Sequence, residues 1–152
     1  MTTIAWDGHT LAADRCSWSG GARRGVRKVF RCTAPDGRRF LVAFAGDGTF
    51  ALQVLAWMRG KRDRPNPTDF CPLDKIDHQC ALVIDEQRVC WQLGNSLFYS
   101  RMRERIYAYG GGQDFAWGAL EAGATARKAI QIAIKRSDYA GLGVDAVSFD
   151  AA

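Results

Sequence analysis

The stretch TTIAWDGHTLAAD, from Thr2 to Asp14, decides the fold class of this chain. Residues Thr2 to Trp6 and Thr10 to Ala13 have the composition of short strands, and Asp7-Gly8 between them favours a tight turn. The stretch therefore predicts an opening β-hairpin. Its first residue raises a separate question, because Thr2 becomes the N-terminal residue if Met1 is removed.

The pattern of short strands continues beyond this hairpin. Ser17 to Gly21 is rich in glycine and serine and is predicted to be a loop. Val26 to Cys32 and Arg39 to Ala45 are predicted strands, joined by the turn residues Pro35-Asp36-Gly37. The spacing of apolar residues then changes to a helical period, which predicts a helix over Gly48 to Arg59.

The second half of the chain contains fewer strands and more helix. Lys61 to Asp77 holds three of the four prolines and is predicted to be a loop. The remaining predicted elements are a hairpin of Ala81 to Asp85 and Val89 to Leu93, a strand at Ile106 to Tyr109, a helix over Gly112 to Glu121, a helix capped by Thr125, and a strand at Val144 to Phe149. Strands gathered into runs indicate an α+β fold, with two largely antiparallel sheets packed together and helices outside.

Length and composition fit one globular domain. The chain has 152 residues, of which 47% are hydrophobic, so we expect a single core and a single domain over residues 1–152. No apolar run reaches the roughly 18 residues that a membrane span needs, and the N-terminus lacks the basic and apolar regions of a signal peptide. We therefore expect a cytoplasmic protein without a membrane partner.

The cysteines do not form a recognisable pattern. They are odd in number, widely spaced and accompanied by only two histidines: Cys16, Cys32, Cys71, Cys80 and Cys90. Neither a disulfide framework nor a zinc site is indicated, and we expect reduced, mostly buried thiols with no bound metal.

The formal net charge is +5, and the basic residues come in short clusters such as Arg101, Arg103 and Arg105. A nucleic-acid surface must therefore be considered. The clusters are interleaved with apolar residues at element-like spacing, and no known nucleic-acid-binding signature is present. Solvated faces are the simpler interpretation, and nucleic acid is not an expected partner.

Thr2 is a candidate nucleophile once Met1 is absent. A threonine hydroxyl is protonated at neutral pH and needs a nearby base. A terminal α-amino group has a pKa of about 7.7–8.0 and lies a few bonds from the hydroxyl of its own residue, so it can supply that base. By itself the pair Met1-Thr2 is a weak signal, and the alternative is a plain strand residue.

Several quoted stretches together carry a resemblance that covers almost the whole chain. They are TTIAWDGHTLAAD at 2–14, RKVF at 27–30, VAFAGD at 42–47, YGGGQDFAWGALEAGAT at 109–125 and SDYAGLGVDAVSF at 137–149. In order and spacing the chain resembles N-terminal-nucleophile (Ntn) hydrolases of the proteasome β-subunit type, particularly compact bacterial and phage-encoded members. The resemblance implies a four-layered αββα sandwich. It fails only over 61–77, where longer relatives carry an additional helix.

The same resemblance implies a set of catalytic residues. The nucleophile falls on Thr2, the acidic residue ending the second strand on Asp14, the lysine of the third strand on Lys28, and a supporting acidic residue on Asp138. A lysine ammonium beside the hydroxyl favours its deprotonated form, and a partner carboxylate offsets the cost of burying that ammonium. Without the resemblance, Asp14 is a turn residue and Lys28 a surface charge.

Two main-chain positions and two departures complete the expected site. The N–H of Ala43 matches the oxyanion donor of the family, and Gly111 lies in the glycine-rich turn before a helix. Many relatives have a serine at the position of Gly111 and another at the position of Gly141. Both hydroxyls are absent here, which leaves activity open. The run Gly110–Gly112 lacks the lysine and Ser/Thr of a phosphate loop and is predicted to be a helix-entry turn.

The implied function is amide hydrolysis with a threonine nucleophile and no cofactor. Expected partners are a peptide or unfolded-protein substrate, further copies of the chain in a ring, and an ATP-dependent unfoldase whose presence the sequence leaves open. The alternative is a catalytically inactive assembly protein that keeps the Ntn fold.

Overall fold

A computed structural model describes residues 1–150 of the chain as a mixed α and β structure. The helices are α1 (Gly48–Met58), α2 (Gln113–Glu121) and α3 (Ala126–Arg136). The strands are β1 (Thr3–Trp6), β2 (Thr10–Asp14), β3 (Cys16–Ser19), β4 (Ala22–Gly25), β5 (Val29–Thr33), β6 (Arg39–Phe44), β7 (Gln79–Ile84), β8 (Cys90–Gly94), β9 (Tyr99–Arg101), β10 (Tyr107–Gly110) and β11 (Val144–Ser148). Over residues 1–150, no helix is long and apolar enough to cross a membrane.

The strands form two main sheets, and all neighbouring strands are antiparallel. One sheet has the order β10-β1-β2-β11, and the other has the order β5-β6-β7-β8-β9. The predicted α+β class with two antiparallel sheets is confirmed.

The opening hairpin forms as predicted, with Ile4 opposite Ala13 and Trp6 opposite Leu11. Its side chains alternate in size between the two faces of the sheet. Ile4 and Trp6 face an apolar cluster shared with the five-stranded sheet, whereas Ala5 faces the cluster formed with α2 and α3. Small side chains on the second face let the helices approach closely, and large ones fill the space between the sheets.

Three apolar clusters hold these elements together. One joins α1 to the five-stranded sheet through Phe50, Val54 and Val83, among others. A second contains residues of both sheets, and a third joins α2 and α3 to the four-stranded sheet. Side-chain alternation along β6 contributes to two of them, because Val42 belongs to the first cluster and Leu41 to the second.

Three strands near the start of the chain, β3, β4 and β5, differ from the prediction. The segment predicted as a loop around Ser17 to Gly21 is a two-stranded hairpin of β3 and β4, in which Ser19 pairs with Ala22. Gly20 and Gly21 form its turn with positive φ angles of 57° and 80°. Glycine adopts this conformation without steric cost, so the glycines mark a tight turn between strands. The predicted strand from Val26 begins three residues later, at Val29.

Polar side chains cap the N-termini of α1 and α3, whereas α2 begins after Gly112 without a side-chain cap. Asp47 accepts a hydrogen bond from the N–H of Phe50 at the start of α1, and Thr125 accepts one from the N–H of Lys128 at the start of α3. The cap at Thr125 confirms the prediction. The segment 61–77 is the predicted loop, with two short 3₁₀ turns at Pro67–Asp69 and Leu73–Lys75.

Because of its buried cysteines, the folded chain is expected to become less stable at alkaline pH. The five cysteines are free, and burial raises the pKa of both Cys80 and Cys90 to about 12 from 9.0. The unfolded chain ionises these thiols near pH 9 whereas the folded chain does not, so stability is lost as the pH rises above about 9. The urea midpoint should fall between about pH 8 and about pH 10. A Cys90→Ala variant should show a smaller fall, and an equal fall would contradict this cause.

Candidate active site

Asp14 ends β2 and is completely buried. Its Oδ1 accepts hydrogen bonds from the N–H of Thr3 at 2.9 Å and from Lys28 Nζ at 2.9 Å. Its Oδ2 accepts from the N–H groups of Cys16 and Gly141, each at 3.2 Å. Main-chain donors thus hold both oxygens, which stabilises an ionised carboxylate away from water.

Lys28 comes directly before β5 and is 7% exposed. Its Nζ donates to Asp14 Oδ1 at 2.9 Å, to the carbonyl of Cys16 at 2.6 Å and to the carbonyl of Met1 at 3.1 Å. An ammonium group has three N–H donors, so each of them has an acceptor. The side chain links the five-stranded sheet to the N-terminal end of the four-stranded sheet. The ammonium of Lys28 and the carboxylate of Asp14 therefore lie next to the first residues of the chain.

Thr2 lies beside this pair, on the wall of a cavity of about 730 Å³. Met1, Thr2 and Lys28 line the cavity, together with Phe30, Phe44 and Leu52. The sequence-predicted Thr2, Asp14 and Lys28 are therefore brought to one place by β1, β2 and β5. The cavity adds apolar walls next to Thr2, which suit an apolar side chain of a bound molecule.

Gly111 fixes the main chain of Thr2, because its N–H donates to the Thr2 carbonyl at 2.9 Å. The space where a side chain would start is filled, since a methyl group at position 111 would lie 2.5 Å from Cβ of Tyr139. The next residue, Gly112, donates its N–H to Thr3 Oγ1 at 3.0 Å. The glycine turn is thus packed onto the first strand, and a serine at 111 requires Tyr139 to move.

Ala43 lies in the interior of β6, and its amide is directed away from the cavity. The N–H of Phe44 donates to the Lys28 carbonyl, on the side of β5, and the N–H of Ala45 donates to the Cys80 carbonyl, on the side of β7. Successive N–H groups alternate between the two neighbours of a strand, so the Ala43 N–H points towards Leu82 in β7. Gly46, three residues further on, lines the cavity.

Asp138 lies in the connection between α3 and β11 and is exposed. Among residues 1–150 it takes part in none of the ion pairs, and no side-chain hydrogen bond joins it to Thr2, Asp14 or Lys28. The same connection reaches the buried pair through Gly141. The structure thus brings the main chain of this loop to the site, but not the Asp138 carboxylate.

Sequence reasoning missed three contributors to the site. The Cys16 carbonyl accepts from Lys28, Thr3 anchors the glycine turn, and the hairpin of β3 and β4 lies next to the Gly141 loop. The Gly20-Gly21 pair was the signal for that hairpin, because a Gly-Gly pair is typical of a two-residue turn between strands. Nothing local in the sequence indicates that the Cys16 carbonyl would be an acceptor. Within residues 1–150, no group of three or more His, Cys, Asp or Glu residues is arranged to hold a metal ion.

Comparison with known proteins gives matches in structure but not in sequence. No protein-family model matches the chain, and no curated protein sequence matches it. The structure of this chain superposes on the helical assembly of the Anbu complex from Pseudomonas aeruginosa with a TM-score of 0.70. The two sequences are 12% identical, and the alignment covers 98% of this chain and 81% of the Anbu chain. Thiobacillus denitrificans BPH has a TM-score of 0.67 and 22% identity, with 96% and 95% covered. BPH is also known in complex with epoxomicin, at a TM-score of 0.64 and 21% identity with 96% of each chain covered.

These likenesses define the fold. Another neighbour, Anbu from Yersinia bercovieri, is described as an ancestral β-subunit and has a TM-score of 0.67 at 10% identity, with 98% of this chain and 81% of that chain covered. The chain therefore has a proteasome-like fold.

Proposed function

We propose that this chain is a threonine-nucleophile amide hydrolase that cleaves peptides or unfolded proteins with the Thr2 hydroxyl after Met1 is removed. One observation carries the proposal. Lys28, in its buried ion pair with Asp14, donates a hydrogen bond from Nζ to the Met1 carbonyl, which belongs to the peptide bond directly before Thr2. A cation is thus held within one residue of the candidate nucleophile.

Removal of Met1 changes the site in two ways. The Met1 carbonyl is removed with the residue, so the N–H of Lys28 Nζ that it accepted becomes free next to Thr2. The α-amino group of Thr2 becomes free and supplies a base for its own hydroxyl. Met1 is 60% exposed, so it is accessible to an aminopeptidase.

The proposed reaction has two steps. The Thr2 oxygen attacks the carbonyl carbon of the substrate, the hydroxyl proton passes to the terminal amine and then to the leaving nitrogen, and the amide C–N bond breaks. Water next attacks the resulting ester, and the ester C–O bond breaks to release the acid and restore the hydroxyl. Lys28 stabilises the developing negative charge on the nucleophile, and Asp14 holds Lys28 in place.

An oxyanion donor is also part of the proposal. The Ala43 N–H expected from the sequence points along the β6–β7 ladder, so the main chain of Gly46 at the cavity wall is the better candidate. Gly46 has a φ angle of +94°. A Cβ atom placed at Gly46 would have no other atom within 4 Å, so the space beside this residue is open. A main-chain N–H at this wall would stabilise the tetrahedral intermediate.

The architecture and assembly complete the proposal. We propose one domain over residues 1–152 as a four-layered αββα sandwich, which the three apolar clusters support. The chain would work as a cytoplasmic homo-oligomer, and the helical assembly of the Anbu neighbour supports oligomerisation. A ring and an ATP-dependent unfoldase remain predictions for sedimentation and pull-down experiments.

The test is the mass of the purified protein before and after reaction with an epoxyketone. We expect Met1 to be absent and one covalent adduct to form on Thr2, because such probes join both the hydroxyl and the free amine of a terminal nucleophile. A Thr2→Ala chain provides the control and should stay unlabelled. Retention of Met1, or equal labelling of the control, would overturn the proposal.

The second candidate function is an inactive assembly protein, which the glycines at 111 and 141 favour. Both positions lack a hydroxyl, and each is packed against a bulky side chain. This candidate predicts a stable oligomer that no probe labels, even when Met1 is absent. Labelling of Thr2 would exclude it.

A further inference from the structure

The turn at Gly141, between α3 and β11, is held against the buried ion pair. Its N–H donates to Asp14 Oδ2 at 3.2 Å, and its carbonyl accepts from the N–H of Arg15 at 3.1 Å. The adjacent Leu142 has φ 61°, a left-handed conformation that a leucine keeps only when its surroundings hold it. The turn that delivers an N–H to Asp14 therefore needs external support.

Arg23 occupies the space beside Gly141. A methyl group at position 141 would collide with Arg23 Nη2 and would lie 3.4 Å from Arg23 Cζ. Arg23 comes from β4, where it pairs with Trp18, and its guanidinium lies 6.0 Å from the centre of the Trp18 ring. The guanidinium is thus placed between an aromatic ring of the hairpin and the turn.

We propose that Arg23 is a positioning residue that takes the place of the hydroxyl missing at Gly141. Its guanidinium closes the open side of the turn and keeps the Gly141 N–H on Asp14, and Asp14 in turn holds Lys28. Arginine suits this task because its head is planar and stays charged at all relevant pH values. The role in catalysis rests on the proposed hydrolase function, but the contact itself does not.

The position of Arg23 accounts for the glycine at position 141. A serine there would displace the guanidinium, which is the end of a flexible side chain, so this space holds either the hydroxyl or the Arg23 head. Arg24, the next residue, provides a matched control. Both arginines are exposed on β4, and among residues 1–150 neither takes part in a side-chain hydrogen bond or ion pair, but Arg24 lacks the contacts that Arg23 makes with Gly141 and the Trp18 ring.

The experiment is a double-variant cycle read by hydrogen exchange of the main-chain amide at position 141. Arg23→Ala and Gly141→Ser should each speed exchange of this amide by about tenfold or more relative to the parent, because either change removes support from the turn. The combined variant, Arg23→Ala with Gly141→Ser, should exchange more slowly than Gly141→Ser alone, because the serine then fits. Arg24→Ala should stay within about twofold of the parent.

Activity gives a second readout that separates the two proposals. If the parent is labelled at Thr2, Arg23→Ala should lower kcat by about tenfold with KM within about twofold, and the combined variant should regain part of kcat. If no chain is labelled, the hydrolase proposal fails, and the exchange cycle still decides whether Arg23 holds the turn. Additive effects of the two substitutions, or an Arg23→Ala chain that exchanges like Arg24→Ala, would overturn the inference.

Discussion

A Lys28→Met chain is expected to fold but to lose about 10²–10⁴-fold of the rate at which Thr2 is labelled or hydrolyses a peptide. Methionine keeps most of the length and the apolar stem of lysine but has neither the charge nor the donors. The deprotonated hydroxyl of Thr2 then loses the lysine ammonium that stabilises it. The rate of probe labelling, followed by intact mass, measures this effect directly.

Stability should fall less than is usual for a broken buried ion pair. Removing one partner of such a pair typically costs about 3–5 kcal/mol, because the other charge is left uncompensated. Asp14 still accepts from the N–H groups of Thr3, Cys16 and Gly141, so the cost should lie at or below the low end of that range. Lys28→Arg keeps the charge as a control, but its larger planar head cannot occupy the position of Nζ between Asp14 and the carbonyls of Met1 and Cys16, so it should retain more stability and recover only part of the rate. Unchanged labelling in Lys28→Met would remove Lys28 from the mechanism.

The fold was predictable where turn or cap residues and the pattern of apolar residues indicate the same element. The hairpin from Thr3 to Asp14 alternates large and small apolar residues around an Asp-Gly turn, and the helix after Thr125 has both a cap and an apolar stripe. The hairpin of β3 and β4 was missed, because its strands are mostly exposed and carry arginines in place of an apolar alternation. Short exposed strands have little pattern that distinguishes them from a loop.

The site was predictable in its charges but not in its main-chain geometry. Asp14 and Lys28 stand out once their positions match a known pattern, and the structure brings them into contact at 2.9 Å. The direction of the Ala43 N–H depends on the register of β6 against β5 and β7, and motif matching does not give that register. Gly141 is packed against Arg23, a residue distant from it in the sequence. A missing hydroxyl is visible in a sequence, whereas the side chain that fills its space is not.

Asp14→Asn is expected to destabilise the chain by about 3–5 kcal/mol and to abolish labelling of Thr2, although asparagine has the same shape as aspartate. Oδ1 accepts from the N–H of Thr3 and from Lys28, and Oδ2 accepts from the N–H groups of Cys16 and Gly141. An amide replaces one of these oxygens with a donor. Whichever way the amide is turned, two buried donors face an NH₂ group, and each unsatisfied group costs about 1–3 kcal/mol.

Such a loss is a large fraction of the roughly 5–15 kcal/mol that stabilises a typical domain, so the variant should be measured by urea unfolding at low temperature. Asp145→Asn is the matched control, because Asp145 lies on the neighbouring strand β11 in a partly exposed ion pair with Arg15. That variant should lose no more than about 1 kcal/mol, since such pairs contribute little. If Asp14→Asn is as stable as Asp145→Asn, then Asp14 is not an ionised acceptor of these donors. The carboxylate would then hold neither Lys28 nor the turn at Gly141, and the shared basis of both proposals would be lost.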